Sequence, residues 1–201
     1  MNEALIISLL IITVRAGVSL LYATLGEIFT ERSGVLNLGV EGVMLMGAAT
    51  AFAVSYHTES AWLGLAVAGL MGMLLSAIHA FLTITMQADQ VVSGLALTLF
   101  GTGLSSFMGQ RLGPGGTTMV GLQAPTFQRI SIPLLEDIPI LGPSLFNQDI
   151  LAYALYLLLP VLSFFLYRTQ LGLHLRAVGD NPTAADVLGI PVKLTRYLYT
   201  I

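Results

Sequence analysis

Few groups in this chain can do chemistry, and their spacing limits what that chemistry can be. Asn37 and Glu41 stand four residues apart at the head of an apolar stretch, a spacing that puts both on one face of a helix. Gly34, Gly39 and Gly42 surround them and permit a broken or closely packed backbone. Such polar groups are costly in hydrocarbon and face the protein interior, and a non-helical patch at that depth is tolerated only under protein or a water-filled cavity. The pair therefore marks either a polar path through the bilayer or an anchor at the entrance of the helix. Arg15 is central in the first apolar stretch. His79 is a lone imidazole on the third, with no second ligand at useful spacing, and core packing is its expected role. Asp89 and Gln90 fall in a short turn between stretches, where solvated turn chemistry is the default. With no cysteine, thiolate metal sites, disulfides and cysteine nucleophiles are excluded. No paired histidines and carboxylates at metal spacing and no activated nucleophile exist, which argues against an integral membrane enzyme.

One polar segment stands apart. LGLHLRAVGDNPTAADVLGI, residues 171–190, lies between two very apolar regions. Asp180 or Asn181 suits a helix start, Pro182 its first turn and Gly189 its exit, which predicts a helix of about two turns. A helix so short is marginal alone in water. Something must hold it, and a protein docking at the membrane surface is the natural candidate.

The elements that position these groups follow from composition. Hydrophobic residues make up 55% of the chain and charged residues 9%, with a mean hydropathy of +0.84, far from the quarter or so of charged residues in a soluble domain. The formal charge of -3 is small and scattered, with no basic stripe for nucleic acid. The N-terminus lacks the basic region of a cleaved signal and reads as a retained helix. A bilayer core of about 30 Å takes roughly 20 helical residues. Five stretches approach this: Ala4–Leu25, Leu36–Tyr56, Ala61–Thr85, Val91–Met108 and Ile150–Tyr167, with a sixth beginning near Leu194. The expected fold is all-α, a polytopic membrane bundle in a single domain over residues 1–201, of about five full spans, the start of a sixth and a short coupling helix.

Lysine and arginine bias orients the bundle. Arg32, Arg168, Arg176, Lys193 and Arg196 fall on one side against Arg111 and Arg129 on the other. The richer side is assigned to the cytoplasm, which makes residues 168–192 a cytoplasmic loop and puts the N-terminus outside. Residues 109–149 become an extracytoplasmic loop in which Pro114, Pro125, Pro133, Pro139 and Pro143 forbid a continuous helix; part of it, ISIPLLEDIPILGP, is a candidate to dip into the membrane. Small residues recur every fourth position as Ala68, Gly72, Ser76 and Ala80 on the third stretch and as Gly94, Thr98, Thr102 and Ser106 on the fourth. These ladders read as helix-packing faces.

Three blocks together, GEIFTERSGVLNLGVEGVMLMGA at 26–48, QADQVVSGLALTLFGTGL at 87–104 and the 171–190 segment, resemble the membrane permease subunit of a bacterial ABC importer, in the family of simple-sugar, nucleoside and branched-chain amino-acid permeases. ERSGVLNLGVEG is most similar to the nucleoside, guanosine-type branch. The resemblance implies transport of nucleosides or simple sugars across the cytoplasmic (inner) membrane by alternating access, without a catalytic site or a bound cofactor in this chain. A separate cytoplasmic ATP-binding cassette subunit would consume ATP, a second permease subunit would complete the pathway, and an extracytoplasmic binding protein would deliver substrate. Carried over to these positions, coupling falls to Gly179, Asp180, Asn181, Pro182, Ala184, Ala185 and Gly189, with Ala184 and Ala185 small enough to seat in an ATPase groove. Asn37, Glu41, Gln90 and Ser93, polar and near span ends within the matched blocks, are the pathway candidates. No metal site is implied. Relatives continue through further spans, so the chain is expected to be the N-terminal part of a longer domain. An ion-coupled secondary transporter, which wants carboxylates or histidine at the midplane, and a non-catalytic membrane assembly subunit are the alternatives.

Overall fold

The computed structural model describes residues 3–133 and 141–201. Residues 134–140, with Pro139 and half of the segment expected to dip into the membrane, lie outside the described residues. The described chain forms two compact units, residues 1–25 with 127–169 and residues 26–126 with 170–201.

The long first helix, α1 (Glu3–Arg32), contributes its N-terminal part to the first unit and its last two turns to the second. In the first unit, Tyr22 donates its hydroxyl to the Leu151 carbonyl at 2.8 Å. The proline-rich connection is not merely irregular there. Strand β1 (Arg129–Ser131) pairs antiparallel with β2 (Asn147–Asp149), and the one-turn helix α5 (Leu141–Leu145) precedes β2, so a small sheet is added to the all-α expectation. The Tyr153 hydroxyl fastens this hairpin by donating to the Ile130 carbonyl at 2.8 Å. Asp149 then caps α6 (Ile150–Arg168), accepting the Ala152 N–H at 3.0 Å.

In the second unit, α2 (Val40–Thr58) packs against both α3 (Ala61–Ala80) and α4 (Gln90–Arg111). Residues Glu59 and Ser60 make the tight turn into α3, with Glu59 at φ +53° and Ser60 capping Leu63. A π-helical turn, Phe81–Thr85, extends α3, and Asp89 caps α4 by accepting the Val92 N–H at 2.9 Å. Met46, Leu75 and Leu97 fill the centre of these three helices, while Trp62, Leu70, Leu74, Leu99, Phe100 and Phe107 point outward. Apolar side chains facing out and small residues facing in are what association in lipid requires, because packing rather than hydrophobic exclusion holds such helices together.

The closest approach is between α2 and α4. A Cβ placed on Gly42 would lie 2.5 Å from the Leu97 carbonyl oxygen, and one on Gly101 would lie 2.6 Å from the Gly42 Cα. Gly94 likewise abuts the backbone of Leu38 and Gly39, and Thr98 donates to the Leu38 carbonyl at 2.8 Å. This corrects the expected ladder on α4. Gly94, Leu97, Thr98 and Gly101 face α2, whereas Thr102 and Ser106 are exposed, because four residues at 100° each overshoot a full turn and a strict fourfold repeat drifts off the contact.

Four described helices are long and apolar enough to cross a bilayer: Ile7–Arg32, Ala61–Thr85, Gln90–Arg111 and Ile150–Arg168. The expected second span is the exception. Its helix starts at Val40 rather than Leu36 because residues 33–39 are not helical; at 19 residues it is as long as α6, and Glu41, Tyr56 and His57 are what lower its apolarity. Its place between α3 and α4 suits its lower apolarity.

Candidate functional site

The second unit has two distinct ends. At one, the His57 ring nitrogen Nε2 lies 3.1 Å from the Leu112 carbonyl. At the other, three connections that the charge bias assigned to one side come together: Ser33–Gly39, the turn from Phe81 to Gln90, and the segment from Gly179 to Arg196.

Helices α7 (Gln170–Asp180), α8 (Pro182–Val187) and α9 (Val192–Thr200) build this end. Asp180 is the last residue of α7 and does not cap α8; Asn181 does, its Oδ1 accepting the Ala184 N–H at 3.0 Å. Pro182 occupies the first turn of α8. Gly189 closes it at φ +81°, the Gly189 N–H donating to Asp186 at 2.9 Å and the Ile190 N–H to Ala185 at 3.0 Å, the paired bonds of a Schellman ending. Its six residues make about 1.7 turns, in line with the two or so expected. Its faces are also divided: Ala185 is only 2% exposed and turned into its own chain, whereas Val187 and Leu188 are 83% and 79% exposed and Ala184 is exposed beside them. The apolar residues exposed on α8 and its end are therefore Ala184, Val187 and Leu188, while Ala185 is buried in its own chain. Asn181→Ala is expected to cost about 1 kcal/mol of local helix stability. Faster amide exchange at Ala184 and its neighbours would register that loss, and unchanged exchange would show that the cap does not hold α8.

The short helices are locked to the joint at Ser33–Gly39. Gly34 adopts φ +83°, which only glycine adopts freely, and its missing side chain leaves room for the Arg196 guanidinium and the Gly179 backbone. A Cβ on Gly179 would overlap the Arg32 carbonyl and lie 3.3 Å from the Gly34 nitrogen. Arg196 Nε donates to the Ser33 carbonyl at 3.2 Å, Thr30 Oγ1 to the Tyr199 carbonyl at 3.2 Å, and the Phe29 and Tyr199 rings stack 6.1 Å apart. Val35, Ala80 and Ile84 pack together beneath Tyr197, whose hydroxyl meets that of Thr85 at 2.5 Å. The residues expected to open a sixth span thus return to this cluster.

The same joint is tied to the spanning helices. Gln90 Oε1 accepts the Leu36 N–H at 2.7 Å, and Glu27 Oε1 accepts the Asn37 N–H at 3.1 Å. Asn37 is 6% exposed, its Oδ1 accepting the Gly39 N–H at 2.9 Å. The His79 ring places Nδ1 3.0 Å from Ser93 Oγ and Nε2 3.2 Å from the Leu36 carbonyl. The structure thus gathers Asn37, Gln90 and Ser93 around one non-helical strand of backbone. Glu41 is exposed on α2 and shares no helix face with Asn37, because Asn37 precedes the helix. The contacts of His79, Glu27 and Arg196 were not anticipated; an imidazole and a carboxylate within apolar stretches were the only local signal for the first two. Among the described residues no group of three or more His, Cys, Asp or Glu is placed to hold a metal ion.

Residues 8–201 match the family described as the branched-chain amino acid transport system permease component. The chain is 46% identical over 189 residues to a protein described as a putative glucose ABC transporter permease from Haloferax volcanii, covering 94% of this chain and 56% of that one. It is 37% identical over 186 residues to the guanosine ABC transporter permease of Bacillus subtilis, covering 89% of this chain and 58% of that one. Against the nucleoside ABC transporter permease of Lactococcus lactis it is 35% identical over 185 residues, covering 89% and 57%. No solved structure matches.

Proposed function

The chain belongs to the family of branched-chain amino acid transport system permease components, and from that premise we propose that it is the permease subunit, or part of one, of an ATP-binding cassette importer for nucleosides or simple sugars. It is a multi-pass membrane protein, with four described helices long and apolar enough to cross, and it spans 56–58% of the length of the three relatives named above. The substrate class rests on the glucose, guanosine and nucleoside permeases among those relatives.

In this reading the end that carries α7, α8 and α9 faces the cytoplasm, as the basic residues Arg32, Arg176, Lys193 and Arg196 of this unit suggest, and α8 is the coupling helix. A separate ATPase subunit docks on it and consumes ATP; a second permease subunit completes the pathway, and an extracytoplasmic binding protein delivers substrate to the far side. The chain itself performs no bond chemistry and needs no bound cofactor. The observation that carries the reading is the division of α8: an outer face of Val187 and Leu188 left open to a partner, and a buried Ala185 in a helix that packs on α7 and α9, of which α7 abuts Arg32 and Gly34 through Gly179. Force applied to the outer face is delivered to backbone that Gln90, Glu27 and His79 connect to α4, α1 and α3.

Copurification from a membrane extract with an ATPase subunit, followed by uptake of labelled guanosine and glucose, tests the proposal. Replacing Val187 and Leu188 together with aspartate is expected to lower recovery of the ATPase about a hundredfold, as two buried apolar anchors are lost. Full recovery would contradict docking at α8.

A further inference from the structure

We infer that His79, Ser93 and Gln90 are positioning residues for coupling: they clamp the two faces of the Leu36 peptide backbone between α3 and α4, so that movement of α8 turns the spanning helices rather than being absorbed in a loose joint. The inference rests on the permease reading and deepens it, naming the side chains on which the stiffness of the joint depends.

The chemistry of the clamp is fixed by its partners. A carbonyl oxygen only accepts, so the contact of 3.2 Å between His79 Nε2 and the Leu36 carbonyl requires the proton on Nε2. Nδ1 is then bare and accepts the hydroxyl hydrogen of Ser93 at 3.0 Å. On the other side of the same residue, the Leu36 N–H donates to Gln90 Oε1 at 2.7 Å. Leu36 thus has both backbone groups held by side chains on two different helices. The imidazole is 1% exposed and Ser93 8%.

Three further features locate the clamp at a mechanical joint. Ser33, Gly34 and Val35 still bond back to the end of α1, but beyond them the N–H groups of Leu36, Asn37 and Gly39 are held by side chains, on which the shape of the joint depends. On its opposite flank Arg196 and Gly179 bind Ser33 and Gly34, so the coupling segment and the clamp grip adjacent residues of one strand. The π-helical turn Phe81–Thr85 begins two residues after His79, and Thr83 Oγ1 donates back to the His79 carbonyl at 2.8 Å; π-turns interrupt the regular ladder and recur at functional sites.

The test uses the permease subunit that this chain forms or is part of, assembled with its copurifying ATPase in liposomes, and reads guanosine and glucose moved per ATP hydrolysed. His79→Ala is expected to lower that ratio about tenfold, as two buried hydrogen bonds are lost, while hydrolysis and the yield of assembled complex persist. His79→Gln, which donates and accepts in the same directions, restores most of the ratio. Gln90→Leu lowers it and Gln90→Glu, which keeps the acceptor, does not. A ratio unchanged in His79→Ala, or a loss of transport that follows the loss of assembled complex in proportion, overturns the inference and leaves the permease reading standing. A wild-type complex that moves no substrate overturns the permease reading, and the clamp with it.

Discussion

Gly101→Leu is expected to remove nearly all folded protein from the membrane. A Cβ at this position would already lie 2.6 Å from the Gly42 Cα and carbonyl carbon, and these are backbone atoms of a helix, with no rotamer to yield. Overpacking that side chains can absorb costs about 1–3 kcal/mol; here α2 and α4 must separate along their length. Separation also breaks the bond from Thr98 to the Leu38 carbonyl and draws Gly94 off the Leu38 backbone, so the joint at Ser33–Gly39 loses its seat in the same event. Gly103→Leu, two residues on and with nothing within 4 Å in this chain, is the control and is expected to be tolerated. The yield of monodisperse detergent-extracted protein distinguishes the two. Equal yields would show that the α2–α4 contact does not hold the unit.

Gly179→Val is expected to leave the protein in the membrane and remove its transport. The added Cβ would overlap the Arg32 carbonyl and press on the Gly34 nitrogen, prising α7 from the joint without entering the core formed by Met46, Leu75 and Leu97. Uptake should fall by at least about tenfold, the factor produced by about 1.4 kcal/mol of lost coupling, while the complex continues to hydrolyse ATP. Gly69→Val, in open space on α3, should transport normally. Undiminished uptake in Gly179→Val would mean that the contact between α7 and Gly34 transmits nothing.

What could be read from the chain was local. The apolar stretches gave the long helices to within a few residues at most ends, and Asn181, Pro182 and Gly189 announced the start and stop of α8 because caps and left-handed exits are determined within one turn. The break before α2, which Gly34, Gly39 and Gly42 permit, was only half legible, for the opposite reason. The spacing of Asn37 and Glu41 suits a helix, and what prevents one is Gly34 at φ +83° together with acceptors and donors 43 and 54 residues away, His79 and Gln90. Helix α7 was hidden by leucines at 171, 173 and 175, which alternate as in a strand; its buried residues, Gly172, Leu175 and Val178, follow the helical repeat instead. The role of Ala185 was legible as a demand for a small side chain. Which surface made that demand was not, since a tight intrachain seat and a tight partner groove select the same residue.

The central claim of the permease reading is that α8 offers Val187 and Leu188 to an ATPase while α7 and α9, on which it packs, grip the joint. Because the chain contains no cysteine, a single Leu188→Cys can be cross-linked without competing thiols in this chain. With the copurifying ATPase subunit present, a short thiol cross-linker is expected to join the two proteins through position 188, and not through Trp62→Cys at the other end of the second unit. A cross-link formed from position 62, or none from position 188 in an assembled and active complex, would contradict the account.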